Sequence, residues 1–151
     1  MKATLEGRKV GILIADGSDA GEVAGLKAEL EKGGGTAMIV APKAGAVKLS
    51  DGKAIKADGQ LLGSPSQIFD AVAIVLSEAG CKALLKEGAA VQFAMDAFAH
   101  LKVIGASSAA KPLLDKAGVE ADDGITGIGA DFVTAAARRF YDREPKLRML
   151  A

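Results

Sequence analysis

Two adjacent serines, Ser107 and Ser108, occupy a position where the sequence could place a nucleophile. They follow the short apolar run Val103 to Ala106, and a segment with helical character begins directly after them. Such a strand–turn–helix junction exposes its turn side chain at the carboxyl edge of a parallel sheet, near backbone N–H groups that can hold an oxyanion. A serine nucleophile also needs an adjacent general base, and no histidine is next to this pair. The spacing therefore predicts an elbow that lacks its activating group.

Two residues are candidates for the missing base. His100 precedes the elbow strand and is expected at its opposite end, since a strand of five or six residues spans roughly 17–20 Å. Lys111 lies one turn into the elbow helix, so a Ser–Lys pair is the catalytic arrangement that remains. We favour turn and helix-capping roles for both serines, because serine is among the preferred capping residues.

Three carboxylates and one thiol complete the set of candidate groups. Asp16 and Asp19 flank the start of the first predicted helix, where capping of unpaired N–H groups explains both. Glu22, one turn into that helix, could face the elbow, although a solvated or paired carboxylate is the ordinary expectation. Cys81 follows a predicted strand with Lys82 beside it, and a redox role there competes with the commoner role of a small buried residue, which we favour.

Composition excludes several classes of function. The 151 residues carry 19 basic and 19 acidic side chains, so the zero net charge predicts no nucleic-acid partner and no anionic-membrane partner. One cysteine and one histidine exclude an internal disulfide and a Cys-rich zinc site, and no carboxylate spacing suggests a metal. The absence of a long apolar run predicts no membrane span, and the absence of an apolar signal region makes the cytoplasm the expected location.

The elements that would position these residues alternate between strands and helices. Two apolar runs, 8–15 and 36–41, are typical of strands buried on both faces. Helical spacing of apolar residues between them predicts a helix that ends at the glycines 33–35. A strand–helix–strand unit of this kind predicts a parallel sheet with right-handed crossovers.

The rest of the chain continues this α/β pattern with one interruption. Residues 46–58 alternate around Asp51-Gly52, which predicts a β-hairpin. Residues 1–7 are predicted to be a leader and residues 8–151 a single doubly wound domain with helices on both faces of a mostly parallel sheet. The other predicted segments are a loop at 59–68, a strand at 69–76, helices at 79–86 and 89–100 separated at Gly88, the elbow helix at 108–117 and a final helix at 131–141.

The first strand with its turn, ILIADGSD, and the elbow, KVIGASSAAKPLL, resemble the ThiJ/PfpI superfamily. The resemblance implies a flavodoxin-like fold related to class I glutamine amidotransferases. In active members an acid near the first strand supports an elbow cysteine that is usually followed by histidine. The corresponding positions here are Asp19, Ser108 and Ala109. The resemblance thus implies a vestigial elbow, made of Ser108 and Ser107 with Asp19, and no catalytic residue.

Three further segments, GAVKLSDGKAIKADGQLLGSPSQIFDAVAIV, AFAHLKVIG and RRFYDREPK, resemble the C-terminal domain of large-subunit haem catalases. The resemblance extends from Gly7 to about Lys146. It implies a non-catalytic accessory domain that supports stability or assembly, with a chaperone-like role as an extension. The implied partners are the catalase core, neighbouring subunits and unfolded client proteins. Haem is expected only in the core, because this chain has no asparagine and only one tyrosine, Tyr141.

Two alternatives of different classes stay open at this point. The chain could be a stand-alone ThiJ/PfpI-type hydrolase or glyoxalase of low activity that uses Ser108. It could also be a small-ligand binding module at the sheet edge near Asp16, Ser77 and Ser107. The basic residues of the tail fit a solvated face or a contact with the parent protein better than a nucleic-acid site; they are Arg138, Arg139, Arg143, Lys146 and Arg148.

Overall fold

The computed structural model describes residues 6–42, 45–64, 66–100, 102–120 and 124–136. Its strands are β1 (Lys9–Ile14), β2 (Thr36–Ala41), β3 (Ala46–Lys48), β4 (Ala54–Lys56), β5 (Gly59–Gln60), β6 (Ala71–Val75), β7 (Val103–Ala106) and β8 (Ile125–Thr126). Six of them form one sheet in the order β5-β2-β1-β6-β7-β8, and every pair in it is parallel. The remaining two, β3 and β4, form an antiparallel hairpin.

Helices cover both faces of this sheet. They are α1 (Ala20–Lys32), α2 (Glu78–Leu84), α3 (Gly88–Ala99), α4 (Lys111–Lys116) and α5 (Ala130–Ala136), with single 3-10 turns at Leu61–Gly63, Ser66–Ile68 and Ser108–Ala110. Buried residues of α1 and α5 share one core cluster, and those of α2, α3 and α4 share the other. The predicted doubly wound, flavodoxin-like α/β architecture is thereby confirmed.

Strand β1 shows why its sequence is a continuous apolar run. Val10, Ile12 and Ile14 point into the cluster with α1, whereas Leu13 points into the cluster with α3. After the exposed Lys9, every residue of the strand is buried. A strand in the middle of a two-sided sheet has no solvent-facing positions, so apolar and polar residues do not alternate along it.

Glycines in two strands make room for aromatic rings. A Cβ atom built on Gly11 would lie 2.6 Å from the ring of Phe69, and one built on Gly105 would lie 2.5 Å from the ring of Phe132. Both rings are fully buried, one on each face of the sheet. The glycines are required here for close approach to the strand backbone.

The hairpin and the main strands were predicted correctly, while short elements were not. The hairpin turns at Gly52, whose φ of +82° is favourable only for glycine. The predicted loop at 59–68 is wrong in part, because β5 pairs with β2 through Val40 and Gly59. Strand β8 was also missed. Two-residue strands are too short to show any periodicity in the sequence.

Helix boundaries differ from the prediction at several places. Gly88 does not separate two helices but is the first residue of α3. The elbow helix begins as a 3-10 turn and becomes α-helical only at Lys111, ending before Gly118 at φ +73° as expected of a C′ glycine. The last helix is described from Ala130 to Ala136. Its predicted continuation to 141, most of the leader and the basic tail lie outside the described residues.

Candidate functional site

The predicted elbow exists, and Ser107 is fixed within it. Its hydroxyl donates to the Leu76 carbonyl and accepts from the Leu76 N–H, both at 3.0 Å. Its backbone N–H donates to the carbonyl of Ile74 at 3.0 Å. Ser107 stands in the turn at the N-cap position, as predicted, but its side chain makes no cap bond to the helical segment that follows. The hydroxyl instead fixes the elbow to the end of the neighbouring strand β6.

A second serine, missed in the sequence, plays the matching role on the other side of β6. Ser18 is fully buried in the turn after β1. Its hydroxyl accepts from the Ala15 N–H at 3.0 Å and lies 2.6 Å from the Val75 carbonyl, to which it can donate. The Asp-Gly-Ser-Asp run signals a turn, where serine hydroxyls bond to nearby backbone. Nothing in the run identifies the distant partner on β6.

Ser108, which the resemblance aligns with an elbow nucleophile, is exposed on a cleft of about 820 Å³. The cleft is also lined by Glu22, Lys111 and Asp115; Glu22 is exposed, as ordinarily expected, and also faces the elbow region. Among the described residues, none forms a hydrogen bond with the Ser108 hydroxyl. A hydroxyl without a general base at hydrogen-bond distance remains a weak nucleophile.

Neither candidate base is engaged with Ser108. The ammonium of Lys111 pairs with the Asp115 carboxylate at 3.2 Å along the same face of α4. His100 is exposed at the C-terminal end of α3 and precedes β7, whose four residues separate it from the elbow by about 13 Å. Ser108 and His100 therefore lie beyond opposite ends of β7.

The two aspartates after β1 have different partners. Asp19 caps α1, since its carboxylate accepts from the Glu22 N–H at 2.8 Å. Asp16 does not cap that helix, which corrects the prediction for this residue. Its carboxylate accepts from the Lys48 N–H of the hairpin at 3.1 Å. The intervening Gly17, at φ +89°, turns the chain between them.

The hairpin closes over the turn after β1 through further bonds. The N–H of Gly17 donates to the Lys48 carbonyl at 2.8 Å, and the N–H of Ser50 donates to the Ser18 carbonyl at 2.9 Å. The Ser50 hydroxyl accepts from the Ala20 N–H, at the start of α1, at 2.9 Å. One side of the carboxyl edge is thus occupied by the protein itself.

The three residues predicted for a ligand site do not converge on one pocket. Asp16 lines a cavity of about 530 Å³ beside α2 and the hairpin, whereas Ser107 lines the larger cleft. The hydroxyl of Ser77 caps α2 by accepting from the Gly80 N–H at 3.0 Å. All three polar side chains are hydrogen-bonded to backbone groups of the protein itself.

Cys81 lies in the second turn of α2 and is buried, with 2% of its surface exposed. It borders a crevice of about 630 Å³ that also touches Lys82 and Ser108. Its burial favours the structural role over the redox role. Within the residues described, no group of three or more His, Cys, Asp or Glu side chains could hold a metal ion.

The residues do not fit a haem site. The resemblance associates haem with a distal histidine and asparagine and a proximal tyrosine. This chain has no asparagine, its only histidine is exposed at the end of α3, and its only tyrosine lies outside the described residues.

No helix in the described part of the chain is long and apolar enough to cross a membrane.

Comparison with known proteins finds sequence matches among long catalases. A family model described as the C-terminal domain found in long catalases matches residues 6–142. Catalase C of Rhizobium meliloti is 39% identical over 152 residues, covering 95% of this chain and 22% of the relative. Catalase HPII of Pseudomonas putida is 32% identical over 146 residues, covering 93% of this chain and 20% of the relative. The chain spans about a fifth of the length of these relatives.

Solved structures with the same fold include two proteins named DJ-1. Drosophila melanogaster DJ-1beta superposes with a TM-score of 0.72 at 19% identity, over 86% of each chain. Schizosaccharomyces pombe DJ-1 superposes with a TM-score of 0.70 at 14% identity, over 94% of this chain and 97% of its own. At these identities the likeness concerns the fold alone.

Proposed function

Since the chain belongs to the family of C-terminal domains found in long catalases, we propose that it is a non-catalytic accessory domain of such a protein. Its role is to support stability and assembly of the parent, in the cytoplasm, through contacts with the catalase core and neighbouring subunits. The observation that carries the proposal is the family match over residues 6–142. Conversion of hydrogen peroxide to water and oxygen would belong to the remainder of the protein, with its haem.

The geometry of the elbow supports the non-catalytic part of this proposal. The hydroxyl of Ser107 is bonded to Leu76, Ala109 stands where active relatives of the fold have histidine, and Lys111 is paired with Asp115. A hydrolase or glyoxalase would need a base close to Ser108. Among the described residues, the cleft groups Glu22, Lys111 and Asp115 form no hydrogen bond with the Ser108 hydroxyl.

A graft tests the accessory role directly. A large catalase would carry residues 6–142 in place of its own C-terminal domain, and its half-life at raised temperature would be compared with that of the same enzyme truncated before this domain. We expect the graft to inactivate more slowly, because a domain that binds only the native assembly stabilises it. Equal half-lives would contradict the accessory role.

Turnover measurements test the non-catalytic role. The isolated chain and its Ser108→Ala variant would be assayed with ester and glyoxal substrates. We expect both to show no rate above buffer. A rate that Ser108→Ala abolishes, with Ser50→Ala as the control that leaves it unchanged, would mean that the elbow is a working site.

The cleft beside Ser108 favours small-ligand binding as a second candidate function. Its volume of about 820 Å³ lies in the range of ligand sites, and it combines apolar residues such as Leu114 and Ile128 with polar ones such as Thr126. A thermal-shift screen of small metabolites would test it, with Thr126→Val as the variant expected to lose any shift.

Chaperone-like activity is a further part of the proposal and has its own test. A client protein would be heated with and without the chain while light scattering is followed. Suppressed scattering would support that activity. Scattering equal to that seen with an inert protein at the same concentration would remove it from the proposal.

A further inference from the structure

The described surface has two exposed large apolar side chains, Ile68 and Met95, at 49% and 42% exposure. Ile68 lies in the 3-10 turn Ser66–Ile68, which packs against α3, and Met95 lies in the middle of α3 itself. The opposite face of α3 is buried in the core through Phe93, Ala94, Ala97 and Phe98. The Met95 thioether therefore belongs to the outer surface of a helix whose inner face is firmly packed.

We propose that Met95 is the sulfur of the described chain that peroxide oxidises first, to a surface methionine sulfoxide. A sulfur lone pair attacks one peroxide oxygen, the S–O bond forms and the O–O bond breaks. Sulfur loses two electrons, and the second oxygen takes up a proton and leaves as water. The oxidant is hydrogen peroxide, whose presence near the domain rests on the proposed function.

The other described sulfur atoms are less exposed than that of Met95. Cys81, on the buried face of α2, is 2% exposed, and Met38 is partly buried against the same core cluster. Oxidation of cysteine and methionine follows exposure, and for cysteine it also follows thiolate character. The greater exposure of its side chain therefore distinguishes Met95 from both Cys81 and Met38.

Oxidation at this position changes the surface without opening the core. A sulfoxide is polar, whereas a thioether is apolar. Because the outer side of α3 carries the added oxygen, the packing of Phe93 and Phe98 is left in place. The expected result is a folded domain with one of its two described exposed apolar side chains made polar, a change that sulfoxide reductases can reverse.

Peptide mapping tests the order of oxidation. The folded chain would be treated with hydrogen peroxide and quenched at intervals, and each sulfur would be quantified by mass spectrometry. We expect Met95 to convert faster than Met38, with Cys81 still reduced. In denaturant the difference between Met95 and Met38 should disappear. Equal rates in the folded chain, or oxidation of Cys81 first, would overturn the proposal.

A hydrophobic dye provides the second readout. Peroxide should lower dye binding to the wild-type chain, and Met95→Gln should show the lowered value without peroxide. Met95→Leu, which stays apolar and cannot be oxidised, should keep its dye signal after treatment. The same loss in Met95→Leu as in wild type would contradict the proposal. These experiments use the chain alone, so their outcome is separate from that of the catalase graft.

Discussion

The turn after β1 and the elbow after β7 are built alike but differ in whether another segment covers them. Each places a serine hydroxyl on the end of β6, Ser18 at the Val75 carbonyl and Ser107 at Leu76. The first turn is then covered by the hairpin, whereas the second opens onto the cleft beside Ser108. The comparison teaches that polar groups at the carboxyl edge of a sheet can bind the protein's own backbone whether the turn that carries them is covered or open.

The largest effect is expected from removing the buried hydroxyl. Ser18→Ala should lower the free energy of unfolding by about 2–3 kcal/mol, because the Ala15 N–H and the Val75 carbonyl would lose a partner in a site closed to water. Urea unfolding measures the change. Ser50→Ala, which removes an exposed hydroxyl from the hairpin that covers this turn, is the control expected to lose less. A loss in Ser18→Ala no greater than in the control would break the comparison.

The same substitution at the elbow should cost less. Ser107→Ala should lower the free energy of unfolding by about 1–2 kcal/mol, since Ser107 is only half-buried and water can replace part of its bonding to Leu76. The measurement is again urea unfolding with an unchanged m-value. If Ser107→Ala proved more damaging than Ser18→Ala, the elbow would be the more important of the two junctions.

The helix cap provides a third step in the series. Asp19→Ala should destabilise by about 1 kcal/mol, because the Glu22 N–H at the start of α1 loses its acceptor. Asp19→Asn retains an oxygen acceptor and is the matched control, expected to lose a few tenths at most. Thermal unfolding of both variants would compare them. If both variants lost the same large free energy of unfolding, Asp19 would have a role beyond capping.

The smallest effect is expected at the open elbow. Ser108→Ala should change the free energy of unfolding by less than about 0.5 kcal/mol, as at other exposed positions without a partner. Unfolding of this variant beside Ser107→Ala sharpens the contrast between neighbouring residues. A loss above about 1 kcal/mol would show that the Ser108 hydroxyl has a structural partner after all.

Local features of the fold were predictable from the sequence. Strands β2 and β7 appeared as apolar runs, and the hairpin appeared as alternation around Asp51-Gly52. The elbow, with Ser108 exposed at its turn, also followed from the strand–turn–helix pattern. These signals are local, because each lies within a single element and its adjoining turn.

The features that were missed depend on partners far along the chain. Ser18 and Val75 are 57 residues apart, and the Asp16 carboxylate meets Lys48 32 residues away. Side-chain bonds of that kind leave no periodic signature in the sequence. Strand β8 was missed because its two residues become a strand only when β7 lies beside them. The sequence therefore indicated where the elbow forms, but not which side chains bind the neighbouring backbone at the carboxyl ends of the strands.

The two glycine–phenylalanine contacts also bear on the order in which the chain folds. Gly105 and Phe132 are 27 positions apart, the difference of their residue numbers, whereas Gly11 and Phe69 are 58 apart. Closing the longer loop costs about 0.7 kcal/mol more in chain entropy, since the cost grows with the logarithm of loop length. We expect the half of the sheet around β7 to acquire its aromatic contact earlier, so the segment carrying the elbow would help to nucleate the fold.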